Sequence, residues 1–420
     1  MSHHLFKDLS WPERVVFVAL AFTVVSITLW WRLGIVAVCV LAGLSVIKMF
    51  YTRTFGNRSL TLSQRVCLWA MVAYWLLYAL SALVSSNHTE GWFRTVVKLY
   101  FLIIPLLCLL ADTSYLTRTR IKALFQVFTA TLLVRFAVCL VISGFQLVQG
   151  VPAVEVRDWQ DDPLGMHHNY LALYIDAAVV FLYGCIIYTP KEKRRRNWPL
   201  LFGALVVLAV YLFMSSSRSG IVTLILFFAL ALVHLTFFRK KYKVAIVITL
   251  VSLVFSAGLY FVEPSAFSRF EALAHWDENH VPDDRVIAWE CGVKAIEGHL
   301  MFGYGVGDCS AQLREKFEER GYRKAVDVGY NSHNQYIETV LETGIAGLVV
   351  LLFMLLAPLV IALSKGTRSF VAVMVVMVVV VMNIFEVMLN RQMGVQFIAL
   401  VYCLLILGVG SRMPKRLSSV

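Results

Sequence analysis

The chain has 420 residues, of which 59% are hydrophobic and only 15% are charged, whereas a typical soluble domain has about 25% charged residues. With a mean hydropathy of +0.74, this composition excludes a soluble globular protein, a disordered chain, a collagen and a coiled coil. The net charge of +12 would suit a polyanionic partner, so the placement of Lys and Arg along the chain has to be considered.

Apolar runs separated by short polar breaks predict about 12 transmembrane helices. In chain order, the first six cover Val15 to Trp31, Gly34 to Phe50, Gln64 to Val84, Val96 to Ala111, Ile121 to Val148, and Asn169 to Tyr188. The other six cover Trp198 to Met214, Gly220 to Phe238, Val244 to Val262, Tyr336 to Leu363, Phe370 to Leu389, and Val395 to Gly410. We therefore predict an all-α polytopic membrane protein, with residues 1–420 forming a single integral membrane domain.

The basic residues collect in alternate breaks. One set of breaks, with both chain ends, holds 23 basic and four acidic residues, which gives +19 and leaves −7 of the net charge to the rest of the chain. By the positive-inside rule this face is cytoplasmic. The basic charge is thus explained by topology and requires no nucleic acid partner. We predict a bacterial inner membrane protein with both termini in the cytoplasm.

Two breaks on the opposite, periplasmic face are long, namely residues 149–168 and 263–335. In the second, Pro282-Asp-Asp284 precedes apolar residues at helical spacing, a pattern typical of an N-capped amphipathic helix. A glycine-rich turn, Gly303 to Gly307, then leads to a second predicted helix, Asp308 to Arg320. We predict that residues 263–335, between transmembrane helices 9 and 10, form a mainly helical periplasmic cap.

Cysteine and histidine spacing indicates neither a disulfide framework nor a metal site. Six of the eight cysteines lie in apolar runs, where a thiol behaves as a small hydrophobic group. Cys291 and Cys309 lie in the predicted cap, and an oxidising periplasm would allow them to pair. No His-x-x-x-His or Cys-x-x-Cys spacing occurs, and the adjacent His167 and His168 cannot face one metal ion from a helix.

Arg218 is the first candidate for chemistry, because its break, Ser215 to Gly220, is too short to carry it far from the membrane. A charge at this depth is costly and marks a candidate functional residue. The alternative is an interfacial arginine that extends its charge to the headgroups. The hydroxyls of Ser217 and Ser219 favour the functional interpretation, since they can donate to an anionic headgroup.

Arg285 and His333 are the candidates at the two ends of the predicted cap. Arg285 begins the amphipathic helix beside two aspartates, so a local ion pair is the alternative to a binding role. His333 stands with Asn334 where the chain re-enters the membrane. A histidine at such a boundary can act as a general base, or can simply satisfy a backbone carbonyl.

Further polar residues lie at the same predicted depth. His168 and Asn169 follow the acidic stretch 157–162, and Glu386 and Arg391 flank the last periplasmic turn, where they could form a boundary ion pair. Within the spans, Arg135 needs an anionic partner. Asp176, about two turns into the sixth predicted span, is one possible partner, and we interpret such a pair as structural.

Arginine and histidine with small polar neighbours thus recur at one membrane boundary. Arginine matches phosphate through two parallel donors and keeps its charge at every accessible pH. Two or three arginines can therefore neutralise a diphosphate without a metal ion. The sequence predicts a site for a lipid-linked anion.

Four stretches of the sequence resemble the O-antigen ligase and polymerase superfamily, namely Ser215 to Gly220, Asp284 to Glu290, Phe302 to Gly307 and Ser332 to Ile337. The resemblance extends over about Asp161 to Gly394. The resemblance implies a GT-C-like fold and transfer of a glycan from a polyprenyl (undecaprenyl) diphosphate carrier to an acceptor hydroxyl. It also implies that His333 is the catalytic base and that Arg218 and Arg285 bind the diphosphate.

The same resemblance assigns supporting or substrate-binding roles to Asn334, His168, Asn169, Glu386, Arg391, Ser217 and Ser219. The implied reaction is inverting and uses no metal ion or other cofactor. We favour ligation of O-antigen to lipid A core, in lipopolysaccharide biosynthesis. A polysaccharide polymerase and a protein O-oligosaccharyltransferase stay open, because they share the donor chemistry.

Two other classes compete with an enzyme. A polytopic transporter also carries buried charges, but transporters commonly show related halves with a site near mid-depth, whereas these candidates cluster at one boundary. A membrane scaffold would not need His333, so replacing that residue would have no effect.

Overall fold

The computed structural model describes residues 5–152, 159, 161–189, 191–242, 244–246, 249, 284–364 and 370–410. These residues form α-helices, with one π-helical turn, His234–Phe238, and one isolated bridge between Asp161 and His167. The helices are α1 (Trp11–Leu29), α2 (Trp31–Thr52), α3 (Leu62–Val84), α4 (His88–Val97), α5 (Tyr100–Leu110), α6 (Arg118–Val148), α7 (His168–Tyr188) and α8 (Lys191–Met214). They continue with α9 (Arg218–Val233), α10 (Asp284–Ile296), α11 (Cys309–Glu319), α12 (Arg323–Val328), α13 (Gln335–Ser364), α14 (Phe370–Phe385) and α15 (Gln392–Gly410).

Eight of these helices are long and apolar enough to cross a membrane, and up to nine if the bent pair α4 and α5 is one span. Two shorter apolar helices, α14 and the greater part of α15, correspond to the last two predicted spans. The predicted span Val244 to Val262 lies almost wholly outside the described residues. The all-helical class is confirmed, and the count of 12 spans stays a prediction.

The fourth predicted span differs from the structure at its start. It begins at His88 rather than Val96 and bends by 44° between α4 and α5. The side chain of Asn87 caps α4 by accepting a hydrogen bond from the Glu90 N–H, which explains the earlier start. The bend brings Arg94 of α4 and Lys98, the C-cap residue of that helix, into the bundle.

Helix α7 is the centre of the bundle. It is apolar on every side and packs against α6, α8, α9 and α14, as expected of a helix that is buried all round. Its first residues lie at the end of the bundle that carries the candidate site.

The described part of the predicted cap has a small apolar core of its own, which joins α10, α11 and α12 to the start of α13. Cys291 and Cys309 lie in this core as free thiols. The Cys291 thiol contacts the Lys316 carbonyl at 3.6 Å, and Lys316 lies two turns along α11 from Cys309, about 10 Å at 1.5 Å per residue. The structure therefore does not form the disulfide that the sequence allowed.

The predicted partner of Arg135 is wrong. Arg135 forms a bidentate ion pair with Asp162, at 2.8 Å from Nε and 2.6 Å from Nη2, and both side chains are fully buried. Asp162 belongs to the 149–168 segment, and its ion pair attaches the described residues around it to α6. Asp176 lies fully buried in α7, and its carboxylate has no hydrogen-bond partner among the described residues.

Candidate functional site

Four segments that are distant in sequence meet at one end of the bundle. They are the start of α7, the start of α9, the turn before α13 and the turn after α14. Direct hydrogen bonds and ion contacts between their side chains join them. The sequence-predicted candidates at residues 168–169, 217–219, 333–334 and 386 thus belong to one structural site.

Glu386 is the buried centre of this site, with 5% of its surface exposed. Its Oε2 accepts a hydrogen bond from Asn169 Nδ2 at 2.7 Å, and its Oε1 accepts one from the Val387 N–H at 3.0 Å. The same Oε1 lies 3.5 Å from Nδ1 of His333, just beyond the usual hydrogen-bond length. Glu386 therefore faces His333, and no ion pair between Glu386 and Arg391 is formed in the described structure.

The protonation state of Glu386 follows from these neighbours. Burial alone raises the pKa of this carboxyl group, but the contact with His333 and the Val387 N–H outweigh it and lower the pKa to about 2. A carboxylate that accepts hydrogen bonds in its charged form behaves in this way. Glu386 is therefore an anion at neutral pH.

Asn169 connects this carboxylate to the start of α9. Its Oδ1 accepts hydrogen bonds from Ser219 Oγ at 2.8 Å and Ser217 Oγ at 3.1 Å. Ser217 is also the N-cap of α9, accepting from the Gly220 N–H, which is a typical capping role for serine. Arg218 lies between the two anchored serines and is half-buried in the first turn of α9.

Gly220 allows this arrangement. A side chain there would place its Cβ 2.5 Å from the Ala172 methyl group on α7, closer than two carbon atoms approach. Its lack of a side chain lets α9 begin directly against α7. The serines consequently reach Asn169.

His333 is held by the turn that precedes α13. Its backbone is in the left-handed region, at φ 46°, which is uncommon for a residue other than glycine. The side chain of Asn331 accepts from the His333 N–H at 2.9 Å, and Asn334 Oδ1 accepts from the N–H groups of Tyr336 and Ile337. Asn334 therefore shapes the turn, and the His333 ring keeps 24% of its side-chain surface exposed.

Helix α10 approaches the same turn from the cap. Trp289 donates from Nε1 to the His333 carbonyl at 3.3 Å. Arg285 lies four residues earlier, on the same face of α10, and is half-buried. Its neighbour Asp284 binds Tyr322 and Lys324, and Asp283 lies outside the described residues.

His168 and Arg391 lie at the edge of the site. The rings of His167 and His168 are 4.2 Å apart, and Arg391 is exposed in the turn after α14. Burial lowers the pKa of His167 to about 4, the charges of His168 and Arg391 add to that effect, and Glu386 opposes it. Basic side chains thus lie at the edge of the site, around the buried carboxylate of Glu386.

A second cluster, which the sequence analysis missed, lies beside the first. Arg94 Nη1 contacts Glu342 at 2.7 Å and Glu338 at 3.3 Å. Lys98 is fully buried and donates to Asn390 Oδ1 at 2.7 Å. The signal was present in the sequence, since Lys98, Glu338 and Glu342 are charged residues inside predicted spans. Arg94 and Lys98, like Glu338 and Glu342, are also spaced i, i+4, which places each pair on one helix face.

This second cluster is attached to the first through Ser332. The backbone N–H and the hydroxyl of Ser332 both donate to Glu338 Oε2, at 3.1 and 2.8 Å. Ser332 immediately precedes His333. The ion pair with Arg94 therefore fixes the turn that carries the histidine.

Cys309, Glu338 and Glu342 place ligand atoms within 4.8 Å of one another, as a metal site would. The Arg94 guanidinium contacts all three, at 3.4, 3.3 and 2.7 Å. A permanent cation thus offsets part of the charge of these carboxylates and lies where a metal ion would bind.

Residues 203–352 match a family model described as O-antigen ligase. A search of curated proteins found no match. The matched segment contains Arg218, Arg285, His333 and Asn334, whereas Asn169 and Glu386 lie outside it. The resemblance inferred from the sequence motifs is confirmed by this match, and the chain is a multi-pass membrane protein in which residues 203–352 are similar to the O-antigen ligase family.

Proposed function

We propose that this protein transfers a glycan from a polyprenyl diphosphate carrier to an acceptor hydroxyl on the periplasmic face of the bacterial inner membrane. The preferred acceptor is lipid A core, which would make the protein an O-antigen ligase. The observation that carries the proposal is the contact of Glu386 with His333, together with the hydrogen bonds that tie Glu386 through Asn169 to the two serines beside Arg218.

His333 is suited to act as the general base. A carboxylate beside Nδ1 favours the tautomer that carries its proton there, which leaves the lone pair of Nε2 available to the acceptor hydroxyl. The 3.5 Å separation is typical of an unliganded site, where catalytic contacts tighten when substrate binds. Glu386 then stabilises the imidazolium that forms.

Arg218 and Arg285 are suited to bind the diphosphate. The first lies in the opening turn of α9, where backbone N–H groups and the helix dipole favour an anion. The second lies on the face of α10 that reaches His333 through Trp289. Their two guanidinium groups would hold the diphosphate beside the base from different helices.

In the proposed reaction, the acceptor oxygen attacks the anomeric carbon while the bond from that carbon to the diphosphate oxygen breaks. The hydroxyl proton passes to Nε2 of His333. The polyprenyl diphosphate leaves as an anion, and positioned arginines stabilise its developing charge. A single displacement of this kind inverts the anomeric configuration.

A reconstituted transfer assay tests the proposal. Purified protein in vesicles receives polyprenyl-diphosphate glycan and lipid A core, with EDTA, and His333→Ala is compared with His299→Ala. His299 is an exposed histidine of the same cap, stacked on Tyr304, and is the matched control. We expect inverted product from the wild type and His299→Ala, and none from His333→Ala.

The same assay separates the alternatives. Longer donor-linked chains would identify a polymerase, and transfer to an added periplasmic protein would identify a protein glycosyltransferase. Donor that crosses the vesicle membrane without being consumed would identify a transporter. Equal product from the wild type and His333→Ala would refute the assignment of the base.

A further inference from the structure

We infer that Leu300, Met301 and Phe302 insert into the lipid bilayer and hold the cap against the membrane surface. These three consecutive side chains are 51%, 61% and 81% exposed. Consecutive exposed apolar residues on an ordered turn mark an interaction surface. The inference concerns a lipid-binding surface and does not depend on the proposed reaction.

The depth of this turn is fixed by a break in α13. At Gly344 the helix adopts φ 68° and ψ −166°, so Ile345 cannot donate to Leu341 in the normal helical pattern. The Ile345 N–H donates instead to the Leu300 carbonyl, and the Leu341 carbonyl accepts from the Tyr304 N–H, both at 2.8 Å. Two backbone hydrogen bonds therefore join this turn to α13 at the break in the helix.

The lipid-facing surface of α13 begins directly after Gly344. Beyond Gly344, α13 presents Ile345, Val349 and Phe353 as exposed side chains at helical spacing, as a membrane-spanning helix does. Above Gly344, the same helix carries the buried Glu338 and Glu342. The turn thus lies at the level where α13 changes from polar to lipid-facing.

The C-terminal end of α3 independently indicates the same membrane depth for this turn. The hydroxyls of Ser81 and Ser85 accept hydrogen bonds from the N–H groups of Val306 and Gly307, both at 3.1 Å. The neighbouring Leu80, Leu83 and Val84 are exposed. The turn is therefore flanked on both sides by helix ends that face lipid.

The bilayer is the occupant that this geometry favours, because the apolar turn continues the lipid-facing surfaces of two helices. Phe and Leu side chains on such a surface enter the boundary between headgroups and acyl chains, to a depth of about 5–10 Å. The turn follows α10 after four residues. Insertion would set the height of Arg285 and Trp289 above the membrane.

Site-directed fluorescence tests the inference. Cys39 and Cys185 are the only cysteines that are not buried, so both are first replaced by serine. Phe302→Cys is labelled with an environment-sensitive dye in phosphatidylcholine–phosphatidylglycerol vesicles. The matched controls are Glu315→Cys on the exposed face of α11 and Val349→Cys on the lipid-facing side of α13.

We expect the label at position 302 to emit at shorter wavelength than the label at 315, and to be quenched by a nitroxide on the upper acyl chain rather than by iodide in the water. Quenching by iodide alone would overturn the inference. Protection from both quenchers would also overturn it, since protein would then cover the turn.

A second measurement excludes an effect of the dye. The unmodified protein is irradiated in vesicles that contain a photoreactive acyl lipid, and cross-linked peptides are mapped by mass spectrometry. We expect lipid adducts on residues 300–302 and on α13, with none on α11. Adducts on α13 without any on residues 300–302 would refute the inference, whatever the transfer activity of the protein.

Discussion

Replacing Glu386 with glutamine removes the charge that faces His333 while keeping the size of the side chain. At 3.5 Å, and with an effective dielectric constant of about 20, a full carboxylate–imidazolium interaction is about 5 kcal/mol. Part of this is present before reaction, and glutamine retains a dipole. We therefore expect about 3–4 kcal/mol of lost transition-state stabilisation, or a fall of about 10²–10³ in kcat.

The KM for the donor should change little, because Glu386 faces His333, the proposed base, and not the arginines proposed to bind the diphosphate. Steady-state transfer in vesicles, with donor and acceptor varied separately, gives both constants. Glu290→Gln is the matched control, since Glu290 lies on the cap surface in an exposed pair with Lys294 and such pairs contribute little. A folded Glu386→Gln protein with kcat within threefold of the wild type would refute this account of the site.

The pH dependence of unfolding is a second test of the role of the Glu386 carboxylate. Its pKa of about 2, against an ordinary value of 4.5, means that its stabilising contribution is present above pH 4.5 and is lost as the pH falls toward 2. The maximum is about 3 kcal/mol, at 1.36 kcal/mol per pH unit. Thermal unfolding between pH 6 and pH 3 should show a smaller loss for Glu386→Gln than for the wild type; equal losses would contradict the assignment.

Three further substitutions test other parts of the structure. Arg218→Lys keeps the charge but loses the paired donors, so we expect the donor KM to rise about tenfold in the transfer assay. Glu342→Gln removes the charge of a fully buried carboxylate that lies 2.7 Å from Arg94, and we expect about 3 kcal/mol of lost stability in thermal unfolding. Gly344→Ala places a methyl group against the Met301 carbonyl at a positive φ, so we expect a lower melting temperature, measured in the same unfolding assay.

Each of these has a control of the same chemical change. Arg314→Lys and Glu319→Gln alter exposed ion pairs on α11 and should leave KM and stability unchanged. Gly43→Ala adds a methyl group where nothing lies within 4 Å and should be neutral or stabilising, since alanine favours a helix interior. Equal effects of a test variant and its control would contradict the corresponding prediction.

The sequence by itself determined the helical class and pointed to most residues of the candidate site. A membrane-spanning helix makes its backbone hydrogen bonds within itself. A run of apolar residues therefore predicts such a helix without any knowledge of the helices that pack against it. The same holds for Arg218 and His333, because a charged or titratable residue beside an apolar run is unusual wherever that run packs. The family match of residues 203–352 confirmed the resemblance that these motifs carried.

The tertiary structure decided which of these residues face one another. Arg135 pairs with Asp162 rather than Asp176, and Glu386 faces His333 rather than Arg391. Arg94 reaches Glu342 across 248 residues of sequence. Such pairs depend on the rotation of each helix about its axis and on how the long breaks fold back over the bundle, and hydropathy along the chain specifies neither. The candidate residues could therefore be chosen from residue types, whereas their arrangement required the packed bundle.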